Sequence, residues 1–513
     1  MKKLLQTLFF LLLIPTVAYS QAEGMKEVYD DAEYFFYSES YNDALINYLK
    51  IYRRGFQTNA NINFKIGYCY LHTAEKAKAL PYLEEAAKNT SLKFKEGTLK
   101  EDKAPLEAFL YLGNAQRVMG NLDKAIEAYD KYLQQIPDQK TDEGIYAKKQ
   151  MEACKVAMDL QKSPVKYSVA VLDKTINNSS ANFNPIVTPE ETVLAFVSRL
   201  RFYDAIFVSR KVKDKWSIPE NITPQIQSDG NQYTSSISSD GNTIYLTKED
   251  NYDSDIYLTT FDGKTWTKSV PLNKNINTKF WESHACVSAD GKTMYFASNR
   301  KGSTGGMDIF ISQLGANNEW GPATSIGPSI NSSLDDDYPF ISEDGNTLYF
   351  CSQGHNTMGG FDVFYSKKEG SSWSTPKNIG FPINTTDDDI FFCPVLKGTV
   401  AYQAIYPKEG GLGDLDIVRY EIGNPVAIKG NLKNLEISVS EVAAVNASNG
   451  EVISVTYNAE TMAFEFNAAP GQYYLTLKGV NTNEKTHIFT IPATGQSLII
   501  IPELIGTEKI AGN

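Results

Sequence analysis

The sequence predicts a multidomain chain, helical at first and all-β afterwards, and three observations carry that reading. Residues 25 to about 160 set apolar side chains at helical spacing. From about Val165 to Glu421 one pattern of short strands comes round five times. From Pro425 the pattern thins to sparse alternating strands broken by turns. With 513 residues, two to four domains are expected, and 42% apolar residues is an ordinary globular composition.

The middle region fixes the architecture. Its clearest copy runs Tyr338-Pro-Phe-Ile-Ser-Glu-Asp-Gly-Asn-Thr-Leu-Tyr-Phe, then Gly359-Gly-Phe-Asp-Val-Phe-Tyr-Ser, then Trp373-Ser-Thr-Pro. The turn and following strand recur at Asp240-Gly, at Asp290-Gly and, in altered form, at Glu191-Thr-Val-Leu and Lys397-Gly-Thr-Val. Asp204, Asp255, Asp308, Asp362 and Asp416 each open an alternating strand, at intervals of 51, 53, 54 and 54. A period near fifty with short strands and Asp-Gly turns predicts a β-propeller in which one copy is one blade. Four copies carry a tryptophan, at Trp216, Trp266, Trp320 and Trp373, and the fifth does not. The run Lys166–Leu172 with Ile176-Asn-Asn matches the segment that comes after that tryptophan in other copies. It is therefore expected to supply the outer strand of the fifth blade beside Asp416–Tyr420, closing a five-bladed ring so that no sheet edge stays open.

Ahead of the ring, three helix pairs are legible: Ala32 onward with Tyr41–Tyr52, Ile66–Tyr70 with Ala77–Ala86, and Leu112–Ala115 with Gly120–Tyr129. They resemble tetratricopeptide repeats. The resemblance implies that Gly67 and Gly113 let the second helix approach closely. It makes Ala44, Ala79 and Ala125 the small residues of that second helix, places Tyr48, Leu83 and Tyr129 four positions further on, and ends the third unit at Pro137. The first unit lacks the glycine, and Gln116 replaces the usual aromatic. Ala44 and Ala79 lie 35 apart but Ala79 and Ala125 lie 46 apart, so about a dozen residues are inserted, expected within Lys88–Lys103. A capping helix is expected over Glu143–Leu160. Such an array presents a concave surface to a peptide or protein; a helical spacer is the alternative.

After the ring, Phe464-Glu-Phe and Pro470-Gly-Gln-Tyr-Tyr-Leu-Thr-Leu fit a small β-sandwich and resemble the carboxypeptidase regulatory-like domain, a non-catalytic module. The expected domains are a signal peptide at 1–20, a helical domain at 21–162, the propeller at 163–422 and the sandwich at 423–513. Met1-Lys-Lys, the apolar run Leu8–Ala18 and the small residues before Gln21 form a cleavable secretory signal. The first cysteine is Cys69, so a lipoprotein anchor is not expected. Five scattered cysteines do not make a disulfide framework, and the repeat places Cys286 and Cys393 in the core column of Phe340.

The formal charge is -12, most of it in the ring, where residues 166–422 hold 22 lysines and arginines against 31 carboxylates. That balance argues against nucleic acid. A position kept in every blade serves the blade, so the five aspartates are read as acceptors of turn amides. Ahead of each first strand lies a more acidic column, with Glu282, Asp336 and Asp389 aligned on Gln232. These carboxylates are candidates for an acidic ring at one mouth of the channel, with calcium as its conceivable ion and solvated loop charge as the alternative. No cofactor is expected otherwise. A five-bladed glycoside hydrolase would need a singular carboxylate pair, and no catalytic motif is present. Phe280 and Trp281 are candidate stacking residues should the propeller bind glycans.

In its order of parts, including the Gly-Gly-x-Asp-[Ile/Val]-Phe repeats, the chain resembles periplasmic OmpA-family proteins of Bacteroidota, some of which belong to type IX secretion and gliding machinery. Its repeats are similar to TolB-like and WD-repeat-like propellers. The resemblance implies a non-catalytic periplasmic scaffold at the outer membrane, whose partners are envelope proteins and secretion components. Members of that group usually continue into an OmpA-like domain. The sequence stops at Asn513 without one, so peptidoglycan is expected only through a partner or a further domain.

Overall fold

The computed structural model describes residues 24–501 except 180, 214, 251–252, 407–411, 424–425, 433–438, 448–449, 451, 480–484 and 492–497. The expected signal peptide lies outside the described residues. Two compact units meet in sequence at Lys162 and Ser163. Among the described residues, no helix is long and apolar enough to cross a membrane.

The first unit is helical. Residues 24–37 form α1, followed by α2 (Tyr41–Arg53), α3 (Ala60–Leu71), α4 (Ala79–Ala86), α5 (Glu107–Val118), α6 (Leu122–Gln135) and α7 (Asp142–Leu160). Asn59 and Thr141 cap α3 and α7 by accepting the amides of Ile62 and Gly144. The α6 stripe Leu122, Ala125, Tyr129, Tyr132 and Leu133 is buried, as its spacing demands.

Close approach explains the glycines. A Cβ on Gly67 would lie 2.5 Å from Leu83 Cγ, and one on Gly113 would meet the Tyr129 ring. Both pairs are 16 residues apart, and the same offset from Tyr48 leads to Ala32, buried at the position where the first pair lacks a glycine. The extra residues between α4 and α5 form turns and one bridge from Thr90 to Ala104, where the insertion was expected. Lys65 is unforeseen. It is buried, 3.3 Å from Glu33, with its ammonium 3.8 Å from the Phe36 ring centre; Glu33 also accepts from the Tyr48 hydroxyl.

The second unit is β-rich and resembles propeller folds. Among its described residues, five antiparallel sheets succeed one another. The first comprises Asn182–Val187, Val193–Arg199 and Asp204–Val212, with two short outer strands on the last. The second, third and fourth repeat this order from Gln232, Glu282 and Asp336. In the fifth, Cys393–Val395, Val400–Ile405 and Asp416–Ile422 are joined by Tyr167–Val171. That strand pairs antiparallel with the last, Tyr167 opposite Ile422 and Val171 opposite Val418, so the closing strand lies where the repeat puts it.

Strand alternation explains why the sheets assemble. Successive side chains point to opposite faces, and the second strand of each sheet is apolar on both. Val193, Ala195 and Val197 join a core shared with the second sheet, whereas Leu194 and Phe196 join one shared with the fifth. Further cores lie between sheets two and three, three and four, and four and five. Fully burying Phe196 contributes about 1.5–3 kcal/mol relative to exposing it. Cys286 and Cys393 are buried in these cores, and burial pushes their thiols up to about 11 and about 12.

The turns carry the expected chemistry. Gly241, Gly291 and Gly345 have φ near +70°, and Asp240, Asp290 and Asp344 accept the amide two residues on. In the corresponding turn of the first sheet the glycine position is held by Glu191, with φ 52°.

Beyond residue 425, two four-stranded sheets share one core. Phe464, Phe466 and Ala468 face Tyr473, Leu475 and Leu477 within it, while Glu465 and Asn467 are exposed.

Candidate functional site

The innermost strand of each sheet lines the centre of the ring; the column singled out by the repeat is its first residue in the first four sheets, whereas in the fifth Asp389 lies ahead of the strand Cys393–Val395. Glu282 is fully buried and accepts from the Thr278 amide at 2.7 Å, Ser298 Oγ at 2.9 Å and Arg300 Nη2 at 3.0 Å. Asp336, also fully buried, accepts from the Ser332 amide at 2.5 Å, and burial raises its pKa. Asp389 is 8% exposed, and its amide donates to Phe361 O at 2.6 Å. Asn182 and Gln232 occupy the same positions, bonded to Ser198 and Ser269.

The burial of Glu282 and Asp336 departs from both readings of the column, an acidic ring at the channel mouth and solvated loop charge. Glu282 and Asp336 tie the incoming loops to their own sheets and are withdrawn from water. Among the described residues, no three histidine, cysteine, aspartate or glutamate side chains are grouped to hold a metal ion.

The second aspartate column has a related task. Asp308 accepts the amides of Thr304 and Gly305, Asp362 that of Met358 and Asp416 that of Leu412. Asp255 differs: burial, with the charges of Asp253 and Glu282 next, raises its carboxyl to about 6.

The side chains that break the repeat lie two residues further along the innermost strands, at Asn184, Thr234, His284, Tyr338 and Phe391. Here the first four sheets carry a bulge, between Phe183 and Ile186, Thr234 and Ser236, Glu282 and Ala285, and Asp337 and Phe340. Asn184, Tyr338 and Phe391 take positive φ of 48°, 53° and 56°. A bulge re-aims a side chain, and the rings meet. His284 stacks on Tyr338 at 3.9 Å, and Phe391 stands edge-on to both, at 5.4 and 4.6 Å.

Beneath the rings, Asp337 accepts from Ser283 Oγ at 2.8 Å and from the Tyr338 amide at 2.6 Å, and its carboxylate lies 3.2 Å from His284 Nδ1. Burial, and then the Asp337 charge, push the Tyr338 phenol well above its usual pKa. Serine, histidine and aspartate are together, yet Ser283 bonds to the carboxylate and not to the imidazole. The three side chains therefore lack the hydroxyl-to-imidazole hydrogen bond of a serine–histidine–aspartate triad.

At the other ends of the innermost strands the channel opens. A shallow depression there is lined by all five sheets, among them Val187, Ile237, Val287, Ile341 and Val395. Phe280 and Trp281 lie instead beside the start of the third innermost strand. Trp281 is 43% exposed, with its amide held by Asn299 Oδ1, and Phe280 is half-buried.

Where the ring closes, Glu191 is buried against the fifth sheet. It accepts from Tyr402 Oη at 2.5 Å and from Arg419 Nε at 2.7 Å, with Lys211 at 3.7 Å. Burial alone would raise its pKa, but the Arg419 bonds and charge, with Tyr402 and Lys211, outweigh it and hold the carboxyl below the usual range.

Residues 107–138 match the tetratricopeptide repeat family. No curated protein matches the chain. Among solved structures, the chain is similar to TolB from Acinetobacter baumannii, at 16% identity and a TM-score of 0.34, over 50% of this chain and 63% of that one. TolB from Agrobacterium tumefaciens aligns at 18% identity and a TM-score of 0.31, over 46% and 72%. An α-L-arabinofuranosidase from Lactobacillus brevis aligns at 12% and 0.33, over 48% and 93%. The tetratricopeptide repeat thus covers α5, α6 and the turn after them.

Proposed function

We propose that the protein is a non-catalytic scaffold of the periplasm, in which a tetratricopeptide array and a five-bladed propeller hold envelope proteins together near the outer membrane. The observation that carries this reading is the channel cluster. The polar residues that escape the repeat, Ser283, His284 and Asp337, are buried and bonded to one another under stacked rings. A hydrolase of this architecture would hold a singular acid–base pair around a space for substrate. The shared cores between successive sheets, and between the fifth and the first, support five blades. The two facing sheets after residue 425 fit a sandwich of the carboxypeptidase regulatory-like type.

By its resemblance to OmpA-family proteins of Bacteroidota, the scaffold would serve type IX secretion or gliding motility, exported by its N-terminal signal and reaching peptidoglycan only through a partner or a further domain. Affinity purification from cell envelopes tests it: outer-membrane or secretion components should be retained, and deleting residues 24–160 should release part of them. Glycan binding is the second reading, favoured by the exposure of Trp281. Recovery of the protein alone, with saturable glycan binding abolished by Trp281→Ala, would replace the first reading with the second.

A further inference from the structure

The depression opposite the channel cluster has a floor and a rim of contrasting chemistry. Its floor is apolar, formed by the ends of the innermost strands. Its rim is formed by the five turns that leave those strands. In these turns Glu190, Asp240, Asp290, Glu343 and Asp344 are exposed, against two exposed lysines, Lys292 and Lys397; Glu343 and Lys397 line the depression itself and the others stand outside its lining. The aspartates remain ionised: hydrogen bonds from Ser238, Ser288 and Ser342, and from turn amides, lower their pKa values. One turn position breaks the repeat and lies in the lining of the depression in every sheet, reading Pro189, Ser239, Ala289, Glu343 and Leu396. No structural need of the blade accounts for that variation, since the neighbouring turn residues keep the hairpins.

We propose that this mouth docks a short segment of a partner protein that presents one or two large apolar side chains flanked by lysine or arginine. Apolar side chains would cover the floor, including Leu396, which is 38% exposed. The flanking cations would meet the carboxylate rim, whose potential adds over several charges in a concave low-dielectric setting. An acidic segment would meet like charge. The proposal deepens the scaffold reading by naming a surface and the chemistry of its partner.

The test uses purified full-length protein and two labelled nine-residue peptides with a central Leu-Phe pair, one flanked by lysines and the other by glutamates. The lysine peptide should bind saturably and the glutamate peptide should not. Raising salt from about 50 to about 500 mM should weaken binding about tenfold. Ala289→Arg with Glu343→Arg, both exposed turn positions, should weaken it at least about tenfold at an unchanged melting temperature. Lys397→Asp should tighten it several-fold, a gain that misfolding would not produce. Absence of saturable binding by the lysine peptide overturns the proposal, as does binding that ignores all three substitutions. Neither result bears on envelope retention, which decides the scaffold reading separately.

Discussion

Glu191 concentrates the residue-scale chemistry of ring closure. It stands where the other turns place glycine, accepts a backbone conformation that disfavours side chains, and in return joins Tyr402 and Arg419 of the fifth sheet. Its folded-state pKa is depressed, so its contribution to stability is complete above the unfolded carboxylate pKa and is lost as pH falls through the folded value. Glu191→Gln should therefore lower stability by about 1–3 kcal/mol at neutral pH. Its thermal melts should also lose less than the wild type's between neutrality and strong acid, because the substituted side chain does not titrate. Equal acid slopes would mean that Glu191 does not clasp the ring. In the helical unit, Gly113→Ala would press a methyl into the Tyr129 ring, and Gly67→Ala would do the same to Leu83. Each should destabilise the helical unit by about 1–3 kcal/mol, measured by chemical denaturation; neutral variants would refute the close approach.

At the scale of elements, Tyr167–Val171 covers the free edge of Asp416–Ile422. A chain beginning at Phe183 lacks that strand and leaves an unpaired edge. It should melt below the intact protein and aggregate on heating; a truncation that melts like the parent would remove the closing strand from the account. This strand was legible because Ile176-Asn-Asn repeats the segment that comes after the outer strands of other blades, so a missing piece at one end could be matched to a spare piece at the other. The turn aspartates were legible for the same reason. The channel cluster was not, because Ser283 and Asp337 are 54 residues apart and a bulge alters which way their strands aim. A signal was nevertheless present: the positions of Asn184, Thr234, His284, Tyr338 and Phe391 share no residue type, whereas the acidic column that attracted notice proved to be internal bracing. Lys65 was hidden by its sequence neighbours, which read simply as a helix, and only the fold brings Glu33 to it.

For the whole molecule, a tetratricopeptide match, five successive antiparallel sheets and a two-sheet module underlie the proposed scaffold. The exposed carboxylates of the five turns give the mouth they surround a sign. The central claim is that this scaffold holds envelope proteins, and purification of the tagged protein from gently solubilised envelopes, with mass spectrometry of the proteins that co-elute, tests it most directly. The account predicts specific retention of outer-membrane or secretion components, reduced when residues 24–160 are removed. Recovery of the protein by itself under conditions that preserve known envelope complexes would contradict it.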